Sequence, residues 1–198
     1  MNNTFRIYPI GIQSFEDLRN NNNVYVDKTE LIYRLANTNK VYFLSRPRRF
    51  GKSLLVSTLD AYFRGRKDLF QGLAMERLEK EWNVYPVLHI DFSMTKYTTM
   101  ADLNERLNLQ LCEWERIYGS APEEEGYAAR FSGIIKRAYQ QKKMSDCTIL
   151  NRMHVEESIE LILLKSVISD SRRVLNGRIY ILIFGCCMRQ NRALELVM

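Results

Sequence analysis

The chain has 198 residues, 46% hydrophobic and 26% charged, a globular balance that excludes a generally disordered polymer. Its formal charge of +6 is spread thinly except at Arg46, Arg48, Arg49 and Lys52, so the dense basic stripe of a duplex-DNA binder is absent. Four cysteines without CxxC spacing and two histidines argue against a zinc site, and no apolar run approaches the ~20 residues of a membrane helix.

In chain order, Ser14 can cap a short helix opening with Phe15-Glu16-Asp17, and the polar run Asn20–Asn23 follows as a loop. Val24-Tyr25-Val26 reads as a short strand. Asp27-Lys28-Thr29-Glu30 resembles a capping box that opens a helix to about Ala36. Lys40-Val41-Tyr42-Phe43-Leu44 is an unbroken apolar strand, expected to be covered on both faces. A helix from Gly51 or Lys52 to Phe63 carries Leu55, Leu59, Tyr62 and Phe63 on one face.

The alternation then recurs. Pro86–Phe92 is a second strand, and Thr99 followed by Asp102 starts a helix with Leu103, Leu107, Leu111, Trp114 and Tyr118 as its apolar face. Pro122 and Glu123–Glu125 favour a further helix start, with the acids complementing its positive end and facing solvent. Alternating strands and helices imply a parallel sheet sandwiched by helices. His89 and Trp114 read as packed residues.

One motif carries chemistry. A strand, then Arg46-Pro47-Arg48-Arg49-Phe50-Gly51-Lys52-Ser53, then a helix is the setting of a phosphate-binding loop. Phosphates need backbone N–H groups converging at the positive end of a helix, and a glycine that lets the backbone come close. Lys52 would meet the β- and γ-phosphates, and the Ser53 hydroxyl would ligate Mg²⁺. The general pattern GxxxxGK[ST] has glycine where this chain has Arg46. Asp91 ends a strand beside this expected nucleotide site, where it could stand in as a metal-shell acid, but an ordinary turn or ion-pair role is the preferred reading.

These residues also resemble a known family. Tyr8–Ile12, Tyr25–Ile32, Phe43–Leu55, Leu69–Leu73, Tyr85–Ser93 and Ile134–Tyr139 together are similar to the bacterial AAA-ATPase-like family over about residues 1–141. The resemblance implies an ATPase domain, commonly followed by a nuclease-like region. It also implies that Arg46 is normal there, since the family itself uses RPRRFGKS. In full-length relatives it leaves nucleic acid open as a partner.

After Gln141 the resemblance leads one to expect a hydrophobic strand ending in paired acids, of the form DEYDKP. Lys142–Leu150 contains no such strand on this reading, and Arg178–Gly185 has strand composition without a terminal carboxylate. Val155, Ile159, Ile162, Leu163 and Val167 share one helical face. Two accounts of the tail stay open: a gene truncated and shifted in frame near residue 142, which is preferred, or a genuine divergent cap.

The expectation is therefore an α/β, P-loop NTPase-type domain at 1–141, incomplete on its C-terminal side, with a divergent tail at 142–198. Arg48, Arg49, Phe50, Gly51, Lys52, Ser53 and Leu54 are assigned to ATP, and Ser53 to Mg²⁺; no catalytic residue is assigned. Binding is expected to survive better than hydrolysis. The alternatives are a nucleic-acid-binding module using the basic cluster, or a non-functional fragment. With no signal-like stretch after Met1, a cytoplasmic protein is the simplest expectation.

Overall fold

A computed structural model describes residues 6–38, 41–45, 49–91, 99–142, 146–152 and 178–185. The helices are α1 (Phe15–Asn20), α2 (Thr29–Thr38), α3 (Lys52–Phe63), α4 (Ala74–Leu78), α5 (Met100–Tyr118) and α6 (Gly126–Lys142). The strands are β1 (Val41–Ser45), β2 (Val87–Asp91), β3 (Asp146–Arg152) and β4 (Arg178–Gly185), and a 3₁₀ turn covers Lys67–Phe70.

The four strands form one sheet in the order β1-β4-β3-β2, and every pairing is parallel. The protein is thus a mixed α/β protein. The expectation that Lys142–Leu150 holds no strand is corrected: β3 lies there, between β2 and β4, and the strand composition of Arg178–Gly185 is realised as β4, which pairs β1 over Val41–Ser45. The reason is context. Cys147-Thr148-Ile149-Leu150 is too short a run to stand out alone, but a central parallel strand finds backbone partners on both sides. The boundary placed at Gln141 falls in the last turn of α6, which ends at Lys142, and the sheet runs across it. The proposed helical face at Val155–Val167 lies outside the described residues.

The core is built around α3, which packs on α1, β2 and β3. Val56, Leu59, Tyr62 and Phe63 are buried along it, joined by Phe15, Phe70 and Met75 from neighbouring elements. Phe15 lies 5.0 Å from Phe70 and 5.4 Å from Tyr25, and Phe70 lies 5.2 Å from Trp82, ring centre to ring centre. Such tilted and edge-on aromatic pairs add a directional preference to burial.

Local signals explain most helix starts. The Ser14 hydroxyl accepts from Asp17 N at 3.2 Å, and Thr99 with Asp102 closes a reciprocal capping box on α5. Three expectations need correction. Val24–Val26 makes no strand; the only pairing there is an isolated bridge between Ile7 and Asn23. Asp27 is not a capping-box residue but a tether. One of its oxygens accepts from Thr29 N and Oγ1 at 2.9 and 2.7 Å, and the other accepts from Ala74 N at 2.7 Å, so it ties α2 to α4. Helix α6 starts at Gly126 rather than at Pro122, because Glu124 is used elsewhere. Its carboxylate takes both Arg137 guanidinium nitrogens, at 2.5 and 2.9 Å, and its side chain is only 14% exposed.

Candidate phosphate-binding turn

The turn between β1 and α3 leaves the sheet at its carboxyl edge. Register places Ser45 beside Gly185, Phe184 beside Arg152, and Arg152 beside Asp91, so these residues end the four strands along that edge. In open parallel sheets this is the edge where ligands bind, because the loops and helix N-termini gather there.

Two residues of the turn have left-handed backbone. Gly51, the residue before α3, has φ 73° and ψ 19°, and Arg49 has φ 68°. At Arg49 this conformation costs a side-chain-bearing residue about 1–2 kcal/mol. Such strain is kept where surrounding structure imposes it, and it often marks ligand-binding turns. Gly51 has no side chain with which to cap α3. The first helical bond runs from Leu55 N to Gly51 O at 3.0 Å, so the N–H groups of Ser53 and Leu54 have no partner within the helix. Uncapped N–H groups at the positive end of a twelve-residue helix are the raw material of an anion site.

Gly51, Arg49 and Phe50 are exposed, Phe50 at 64%, whereas Lys52, Ser53 and Leu54 are half-buried. A Cβ built on Gly51 would meet nothing within 4 Å, so glycine is required there by backbone conformation and not by crowding within the protein. The structure thus brings Arg49 through Leu54 together in one turn. Arg48 lies outside the described residues, as does Arg46. The backbone of Asp91 ends β2 on the same edge, and its side chain lies outside the described set. Strand β3 ends in Asn151-Arg152, with its only acid, Asp146, at the opposite end. Among the described strand ends Asp91 is the single carboxylate at the carboxyl edge.

Sequence reasoning missed β3 and therefore the residues that close this edge. The signal available was the β-branched pair Thr148-Ile149, followed by Leu150. Among the described residues no group of three His, Cys, Asp or Glu side chains is placed to hold a metal ion. No helix in that set is long and apolar enough to cross a membrane.

A parallel α/β sheet with a glycine-lysine-serine turn at its carboxyl edge, opening a helix, defines the class. The chain belongs to the AAA-ATPase-like family, whose description is Predicted AAA-ATPase and which matches residues 9–183. That match crosses Gln141 and takes in β3 and nearly all of β4. The chain is also 38% identical over 132 residues to an uncharacterized protein in the vnfD 5′ region of Azotobacter chroococcum mcd 1. The aligned part is 66% of this chain and 26% of that relative, so the chain spans about a quarter of the relative's length.

Proposed function

We propose that the protein binds ATP·Mg²⁺ at the β1–α3 turn and hydrolyses it only close to the uncatalysed rate. One observation carries the binding half: left-handed Gly51 opens α3 without a side-chain cap at the carboxyl edge of a parallel sheet. The N–H groups of Ser53 and Leu54 would face phosphate oxygens, Lys52 would neutralise the β- and γ-phosphates, and Arg48 and Arg49 would attract the triphosphate. The half-buried Ser53 offers a hard hydroxyl oxygen, which suits Mg²⁺. When bound, that ion would neutralise charge on the phosphates, with Ser53 as its protein ligand.

The hydrolysis half rests on β3. A strand ending in Asn151-Arg152 supplies no carboxylate to orient an attacking water, and a positioned base is worth about 10²–10⁴ in rate. Asp91, at the end of the neighbouring β2, is the residue from which residual turnover would come.

Lys52→Ala tests the binding. Calorimetric titration with ATP·Mg²⁺ should show affinity falling about ten- to a hundredfold, the weight of one charge-assisted contact. Unchanged affinity removes the proposal. Phosphate release by the native protein should match that of Lys52→Ala; robust release that disappears in Lys52→Ala and in Asp91→Asn would overturn the second half and assign catalysis to Asp91. A nucleic-acid module using the same arginines would instead ignore ATP and lose oligonucleotide affinity steeply with salt.

A further inference from the structure

At the far end of α3 from the turn lies a second concavity. Ten residues of helix separate Lys52 from Tyr62, roughly 15 Å along the axis. The cleft has a volume of about 330 Å³ and is lined by α2, the end of α3 and the extended segment after α4. This is the size range in which proteins hold small ligands or single side chains.

Its chemistry is one-sided. Three tyrosines, Tyr33, Tyr62 and Tyr85, line it with Glu79 and Glu81, against one cation, Lys80. The Glu79 carboxylate is held in place from two sides. One oxygen accepts from Tyr62 Oη at 2.5 Å and the other from Glu81 N at 2.9 Å. Burial, and then the carboxylate of Glu79, hold the Tyr62 hydroxyl protonated far above the ordinary tyrosine range, so it stays a donor. Tyr62 itself cannot swing away. Its ring packs 5.1 Å from Phe63 and 6.0 Å from Trp82, and it is only 9% exposed. The Glu81 carboxylate is exposed at the rim.

We propose that this cleft binds an organic cation, the guanidinium of an arginine, against its tyrosine rings with Glu79 and Glu81 as counter-charges. An anion would face two carboxylates. An uncharged apolar group would bring them no counter-charge at a half-enclosed wall. A flat, weakly hydrated guanidinium satisfies both kinds of wall at once: it stacks on aromatic faces and donates in its plane to carboxylates. An ammonium fits less well, because its tightly held water must be stripped for a single point contact. The site is independent of the phosphate-binding turn and of what that turn does.

The test uses the full chain at fixed ionic strength, since exposed charges are screened by salt. N-acetyl-argininamide, its lysine counterpart and its neutral isostere, the citrulline amide, are titrated by calorimetry and by amide shifts of Asn37, Glu81 and Asn83. Arginine should bind more tightly than lysine, and citrulline should bind at least about tenfold more weakly than arginine. Glu81→Gln, at an exposed position, should weaken arginine binding about threefold to tenfold with unchanged melting temperature. Glu79→Gln should weaken it further, and Lys52→Ala should leave it unaltered. Free arginine is run alongside: binding of both forms points to a small guanidinium compound, and binding of the capped amide alone to a peptide side chain. Equal binding of citrulline, indifference to both glutamate changes, or no response to either arginine form would overturn the proposal.

Discussion

The two ends of α3 are built to opposite specifications. Its first turn, after Gly51, is exposed to half-buried, has no side-chain cap and is preceded by two left-handed residues. Its last turn, Tyr62 and Phe63, is locked into an aromatic cluster with Phe70, Trp82 and Tyr85. One end leaves backbone donors without a partner in the helix, and the other leaves almost no room to move. A helix anchored at its carboxyl end can hold its amino end at a fixed position without a capping side chain on the residue that opens it. That is what a phosphate-binding turn requires, because any residue that capped it would compete with the ligand.

The comparison breaks most severely if the sheet is removed. Among the described residues β1 pairs only with β4, and β2 only with β3. A chain ending at Gln141 therefore keeps two strands that are not neighbours, with both edges open. The expected outcome is loss of a cooperative unfolding transition in urea, followed by circular dichroism. A shortened chain that still unfolds cooperatively and binds ATP would show that the region after Gln141 contributes nothing to the turn.

Next in size is damage at the anchored end. Phe70 is fully buried against Phe15, Tyr62 and Trp82, and Phe70→Ala should cost about 3–5 kcal/mol, read from the denaturant midpoint. At the open end the same measurement should barely respond to Lys52→Ala, whose effect is expected in ATP affinity on the proposed function. Gly51→Ala should fall between them, at about 1–2 kcal/mol, since the added methyl meets no neighbour and only the left-handed backbone penalises it. A cost near zero would mean that the turn is not held in that conformation.

The smallest expected effect lies away from α3, in the α5–α6 pair. Arg130 holds Glu115 through paired bonds of 2.7 and 2.8 Å, and the guanidinium keeps that carboxyl below its usual range against the opposing effect of burial. Glu124 is lowered in the same way by Arg137. A carboxylate depressed in the folded state stabilises fully above its unfolded value, roughly pH 4.3, and loses that contribution as acid protonates it through the lower folded value. Stability should therefore fall below about pH 4, and Glu115→Gln should flatten that fall while lowering the plateau at neutral pH. Both pairs are partly exposed, so each should be worth no more than about 1 kcal/mol.

Local chemistry was legible where a single turn of chain carries the whole signal. Ser14 and Thr99 cap the helices they were expected to cap, and Lys52–Phe63 is a helix because its apolar residues recur at helical spacing after a glycine. The tether from Asp27 to Ala74 was not legible, because its two halves lie 47 residues apart. Glu124 looked like one of three solvated acids until Arg137, about three turns along α6, came within reach. The cleft beyond Tyr62 draws Tyr33 from α2, and Glu79 and Tyr85 from the segment after α4, to the end of α3.

By itself the sequence determined the mixed α/β class, the turn at Gly51-Lys52-Ser53 and the family, since each rests on neighbouring residues whose backbone preferences and side-chain types act together. Only the tertiary structure decided that Asp146–Arg152 is a strand, and that Arg178–Gly185 stands beside β1. The physical reason is that a parallel strand has no hydrogen bonds of its own. Its existence depends on partners that a short apolar run cannot announce, and here those partners lie up to 140 residues away in the chain, as between Val41 and Ile181.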